Sequence, residues 1–148
     1  METSAIITRG LTKSYGQHTV VDKLDLSVPE GSIYGFLGPN GSGKTTTMKM
    51  ILGLTRPSAG TVTVLGQEIN PGILPQIGSL IENPPGYGHL TGGENMDIQR
   101  HLLGLDPADC YRALELVALT KYRDRLVRTY SLGMKQRLGI ALALARRP

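Results

Sequence analysis

The sequence holds one cysteine, Cys110, which excludes an intramolecular disulfide and any cysteine-rich metal site. That fits a reducing compartment. No apolar run approaches the roughly 20 residues a membrane-spanning helix needs, so no transmembrane helix is expected. The start, Met1-Glu2-Thr3-Ser4, lacks a basic region followed by an apolar stretch, so no signal peptide is read. Aromatics make up only 5%, and this bears on the net charge of +4. Residues 121–148 hold eight Lys/Arg against one acid, whereas residues 1–120 carry a net −3. The late basic excess is scattered and not interleaved with aromatics, as a base-stacking surface would be. No nucleic-acid partner is expected.

What is present is enough for one domain: 148 residues, of which 40% are hydrophobic. The 19 glycines are about twice the usual share and lie between apolar segments, which predicts a loop-rich α/β domain. Ile6-Ile7 leads into a first strand. Leu24, Leu26 and Val28 alternate with polar residues, predicting a half-buried strand that ends at Pro29-Glu30-Gly31. Ser32 to Leu37 is an apolar run that predicts a strand buried on both faces, as in a parallel sheet. A glycine-rich loop and a helix to about Leu54 follow, stopped by Arg56-Pro57. Thr61 to Leu65 predicts another strand, and Ile77 to Ile81 a weaker one.

After residue 82 the pattern turns helical. Asn83 to Gly88 reads as a loop. Thr91 and Glu94 have capping-box spacing, opening a helix to about Leu103. Asp106-Pro107 places an N-cap before a proline at the first helical position, opening a helix to about Leu119. Ser131 caps a last helix with Leu138, Leu142 and Ala145 on one side. The domain reading is therefore a β-rich core over about 1–82 and a helical part over about 83–148.

Gly38-Pro39-Asn40-Gly41-Ser42-Gly43-Lys44-Thr45 fits G-x-x-x-x-G-K-[ST] at every required position. Glycines let the backbone fold tightly with several N–H groups meeting one phosphate. The helix that starts there adds the positive end of its dipole. Lys44 reaches the β- and γ-phosphates, the Thr45 hydroxyl ligates Mg²⁺, and Thr46 ends the nucleotide-binding stretch that begins at Gly38. On this motif alone, kinases, GTPases and helicases remain open.

Tyr130-Ser131-Leu132-Gly133-Met134-Lys135-Gln136-Arg137-Leu138 resembles the signature segment of ATP-binding cassette (ABC) ATPases. Lys13-Ser14-Tyr15-Gly16 resembles that family's aromatic loop, and Ile77-Gly78 through Asn95 its segment facing a transmembrane partner. The resemblance covers essentially the whole chain in the right order. It implies a P-loop nucleoside triphosphatase core with an ABC β-subdomain and a helical subdomain. It implies ATP and Mg²⁺ as ligands, with Tyr15 stacking on adenine. It implies a head-to-tail pair of cassettes, in which Ser131, Leu132, Gly133 and Met134 cover the nucleotide of the opposite cassette. It also implies transmembrane permease subunits and a place on the cytoplasmic face of a bacterial membrane.

Two departures stand out. Glu82 occupies the place of a family glutamine, keeping oxygen ligands for Mg²⁺ but adding a charge. Leu132 and Met134 replace a glycine and a glutamine of the signature. Both resemble a branch of exporters similar to bacitracin-resistance and lantibiotic-immunity systems. The family's magnesium-holding aspartate, the glutamate after it and a later histidine have no match within residues 1–148, so no catalytic residue is assigned. Leu102 to Asp106 has the apolar-run-then-Asp form but reads as a helix end and the next N-cap. His18, His89 and His101 receive no role. The chain reads as the amino-terminal part of a longer protein, truncated before the strand that would carry the acid pair. Apolar surface and strand edges are then expected to stand unpaired. A non-catalytic nucleotide-binding module and a non-transport cassette ATPase stay open as alternatives.

Overall fold

The computed structural model describes residues 3–82 and 85–148. They form two compact units, one ending at Leu74 and the other beginning at Pro75.

The first unit is built on an antiparallel hairpin. Strand β1 (Ser4–Tyr15) and strand β2 (His18–Pro29) are joined by a tight turn at Gly16-Gln17. Their register pairs Ile6 with Val28, Thr8 with Leu26 and Tyr15 with His18. The other edge of β1 takes β3 (Ala59–Val64), and β3 takes the two-residue β4 (Gln67–Glu68). The order is β2-β1-β3-β4, with every pair antiparallel. Alternation places Thr8, Leu11, Val21, Val62 and Val64 inside. Helix α1 (Lys44–Ile51) buries Thr47 and Met50. Full burial of side chains such as Leu11 and Met50 stabilises the unit by about 1.5–3 kcal/mol each.

Two expected strands do not form. Ser32 to Leu37 is irregular, with Ile33 and Leu37 almost fully exposed instead of buried on both faces. Apolar composition does not make a strand by itself. The ladder hydrogen bonds must come from a neighbour, and no described strand runs beside this one. Ile77 to Ile81 lacks a strand partner for the same reason.

The second unit is helical. Helix α2 (Gly92–Leu103) starts with a full capping box: the Thr91 hydroxyl accepts from the Glu94 N–H, and the Glu94 carboxylate accepts from the Thr91 N–H. Helix α3 (Pro107–Leu116) is capped by Asp106, whose carboxylate accepts from the Ala108 N–H at 2.8 Å. Helix α4 (Leu132–Leu144) is capped by Ser131. The three helices and the connection before α4 enclose Met96, Cys110, Ala113, Leu114, Leu119, Val127, Tyr130, Leu138 and Ala141. Residues 88–91 run antiparallel to residues 126–128, with Val127 N–H donating to the Leu90 carbonyl and Arg128 N–H to that of Gly88. Asn83 and Pro84 of the expected loop lie outside the described residues. Among the described residues, no helix is long and apolar enough to cross a membrane.

Candidate functional site

The phosphate-loop motif folds as a loop closed onto the start of α1. Gly38 to Ser42 are exposed, and the Ser42 N–H donates to the Pro39 carbonyl at 3.2 Å, turning the crest over Asn40 and Gly41. Gly43 ends the loop in the left-handed region, φ 91°, and is buried. A Cβ there would stand 2.7 Å from the Val20 carbonyl oxygen of β2, so only glycine fits. At Gly38 a Cβ would meet Ser42 Oγ at 2.7 Å.

Lys44, the first residue of α1, folds back over the loop. Its ammonium donates to the carbonyls of Gly38 and Pro39, the latter at 2.8 Å. Two of its three N–H donors are thereby used. Thr45 is exposed in the first turn and Thr46 half-buried. Thr47 is buried and donates its hydroxyl to the Gly43 carbonyl at 2.9 Å, fixing the helix start to the loop. No side chain caps α1, and its first turn holds no acid. A bare helix N-terminus with a lysine at its mouth suits an anion.

Tyr15 ends β1 with 55% of its surface exposed. The Lys13 ammonium lies 4.9 Å from its ring centroid and donates to the Arg56 carbonyl at 2.8 Å. Lys13 pairs across the ladder with Val21, next to the Val20 carbonyl on which Gly43 rests. Adjoining residues of β2 therefore support both the Tyr15 end of β1 and the close of the phosphate loop.

In the second unit, Ser131 Oγ accepts from the Met134 N–H at 3.2 Å. A hydroxyl that accepts in this way still has its own proton to donate. Leu132 and Gly133 are exposed in the first turn of α4, while Met134 packs against the helical core.

Comparison with protein families matches residues 21–148 to the ABC transporter family. The chain belongs to the ABC transporter family. It is closely related to bacitracin- and lantibiotic-transport ATP-binding proteins. The bacitracin transport ATP-binding protein BcrA of Enterococcus faecalis is 48% identical over 147 residues, covering 97% of this chain and 48% of that protein. The lantibiotic transport ATP-binding protein SrtF of Streptococcus pyogenes is 39% identical over 140 residues, covering 95% of this chain and 61% of that protein. A solved structure of the ATP-binding subunit of an ABC transporter superposes with a TM-score of 0.81 at 27% identity, over 98% of this chain and 63% of that one. The chain spans about half the length of the curated relatives it matches. Its fold is that of an ABC cassette: a P-loop core, a small β-sheet part and helical segments.

Glu82 is exposed and adopts a left-handed backbone, φ 63°. Arg137, on α4, donates to the Val117 carbonyl at 3.2 Å, closing the carboxyl end of α3. Tyr130 is buried ahead of Ser131, and its hydroxyl donates to the Tyr122 carbonyl at 2.7 Å. Burial pushes the Tyr130 phenol above its ordinary pKa. Leu105 and Asp106 follow the end of α2, and Asp106 caps α3, as the helix-end pattern predicts. Among the described residues, no group of three His, Cys, Asp or Glu side chains is placed to hold a metal ion. Two residues carry more than their sequence pattern signalled. Lys13 reaches the Tyr15 ring, legible only as a basic residue two positions before an aromatic on a strand. Asn95, inside α2, is buried and bonds to the backbone of Tyr87.

Proposed function

We propose that this chain supplies the ATP-binding part of a bacterial transporter subunit, one that couples binding and hydrolysis of Mg·ATP to movement of a peptide antibiotic across the membrane. The observation that carries the reading is the phosphate loop, with its uncapped helix start and Lys44 at its mouth. Gly43, where a Cβ would collide with the Val20 carbonyl, supports the same fit. Kinship with bacitracin and lantibiotic transport proteins supports the substrate class.

In this reading Lys44 and the N–H groups of Gly41 and of Gly43 to Thr46 hold the β- and γ-phosphates, and Pro39, Asn40 and Ser42 shape the crest. The Thr45 hydroxyl holds Mg²⁺, and a carboxylate oxygen is what Glu82 offers as a ligand. Tyr15 stacks on adenine. Mg·ATP, when bound, supplies the phosphoryl group that water accepts. Ser131 and the Gly133 N–H serve the γ-phosphate of a second cassette packed head to tail. Residues from Glu82 to Asn95 meet a transmembrane subunit at the cytoplasmic face.

A second reading, nucleotide binding without turnover, is favoured for residues 1–148 taken by themselves. Asp106, which ends the apolar run from Leu102, is committed to capping α3.

The main reading is tested in native membranes. A single cysteine at Tyr87 is expected to crosslink to a membrane subunit, and Lys44→Ala to remove the cells' protection against bacitracin or a lantibiotic. Crosslinks confined to the cassette, with resistance intact in the Lys44 variant, would sink it.

A further inference from the structure

We propose that Lys13 is a positioning residue for nucleotide: it covers one face of the Tyr15 ring and leaves the other as the surface on which the base lies. The inference rests on the reading of Tyr15 as the adenine platform and adds to it a residue that sets the ring's pose. Lys13 and Tyr15 are two apart on β1, where the pairing with β2 shifts register between Lys13 and Ser14, and the ring contact shows their side chains meeting. The ammonium sits 4.9 Å from the ring centroid, within the range of a cation–π contact. It is held there from behind, because it also donates to the Arg56 carbonyl at 2.8 Å.

The strand around it is equally fixed. The Ser14 N–H donates to Ser58 Oγ at 3.1 Å, and Ser14 Oγ bonds with Thr19 Oγ1 at 2.9 Å. The Ser58 N–H donates to the Thr12 carbonyl at 2.8 Å. An exposed strand-end tyrosine ordinarily samples several rotamers, and ordering it on binding costs affinity. A cation parked on one face removes part of that cost before the nucleotide arrives. It also occupies the one face, so a purine stacks on the opposite one. The contact acts on the base alone, whereas Lys44 acts on the phosphates.

The test compares ATP with inorganic tripolyphosphate, which has the phosphates and no base. Binding of both, with Mg²⁺, is measured by calorimetry on the full chain and on Lys13→Met, Lys13→Arg and Tyr15→Leu. Far-UV circular dichroism verifies the fold of each. Lys13→Met is expected to weaken ATP about two- to fivefold and leave tripolyphosphate unchanged, with Lys13→Arg restoring ATP. Equal weakening of both ligands would show that Lys13 acts through bulk charge and would overturn the proposal. Unchanged ATP affinity in Lys13→Met, with a loss in Tyr15→Leu, would overturn it and leave Tyr15 as the platform. No loss of ATP in Tyr15→Leu would remove the platform, and the proposal with it.

Discussion

The side-chain amide of Asn95 holds the backbone of Tyr87 at both of its polar groups. Oδ1 accepts from the Tyr87 N–H at 2.7 Å, and Nδ2 donates to the Tyr87 carbonyl at 3.1 Å. Nδ2 also donates to the Thr91 carbonyl at 2.8 Å. Asn95 is 4% exposed and Tyr87 57% exposed, so a buried amide fixes the pose of a surface aromatic. Asn95→Leu leaves the Tyr87 peptide without these partners and is expected to cost about 1–3 kcal/mol of stability. Urea unfolding measures the loss, and hydrogen exchange at the Tyr87 amide should accelerate. Unchanged exchange at that amide would show that the clamp does not hold the loop.

Gly43→Ala places a methyl group against the Val20 carbonyl and forces alanine into a left-handed backbone. A cost of about 1–3 kcal/mol is expected from the backbone strain, with more from the clash. Nucleotide affinity should fall with it, because the start of α1 must shift to relieve the contact. Thermal unfolding and ATP titration on the same variant check both halves. Wild-type stability would mean the close approach is absent in solution.

The Thr91–Glu94 capping box makes the start of α2 sensitive to acid. The Thr91 backbone N–H, and after it the Thr91 hydroxyl, hold the Glu94 carboxylate below its ordinary value of 4.5. A depressed folded-state pKa contributes stability that is fully present above the unfolded value and is lost as pH falls through the folded one. The box should therefore be intact at pH 5 and above, and open progressively below about 4.5. Amide exchange in the first turn of α2, followed against pH, is the measurement. Glu94→Gln should flatten the profile, and a profile identical in both proteins would show that another group is responsible.

Residues 1–148, as a polypeptide, are expected to bind Mg·ATP and to show no steady-state hydrolysis above a Lys44→Ala control. Lys44→Ala removes charge-assisted hydrogen bonds of about 1.5–3 kcal/mol, so ATP binding should weaken tenfold or more. Groups that act as a unit in catalysis cannot be partly missing without losing orders of magnitude in rate. Hydrolysis that disappears in the Lys44 variant would place a water-orienting group inside this stretch, with Glu82 the first suspect.

Local chemistry was legible in the sequence, and pairing was not. Thr91, Asp106 and Ser131 announce helix starts because a cap is satisfied within three residues of itself. The phosphate loop is legible for the same reason: its glycines, Lys44 and Thr47 bond within one short segment. Ser32 to Leu37 misled, since its apolar run states a preference and a strand also needs a partner elsewhere in the chain. β4 escaped notice because two residues carry no period. The contacts of Lys13 with Arg56 and of Asn95 with Tyr87 depend on how distant or irregular backbone is placed, and periodicity carries no record of that.

Ile33 and Leu37, turned outward on a stretch without a ladder, are the most exposed large apolar side chains among the described residues. Handling of the purified polypeptide will be governed there more than by its overall charge. Copies are expected to meet through this stretch as concentration rises, and added sulfate or phosphate to hasten the encounter instead of screening it. A mild detergent, or a fusion partner that shields these residues, should do more for a clear solution than any adjustment of buffer pH.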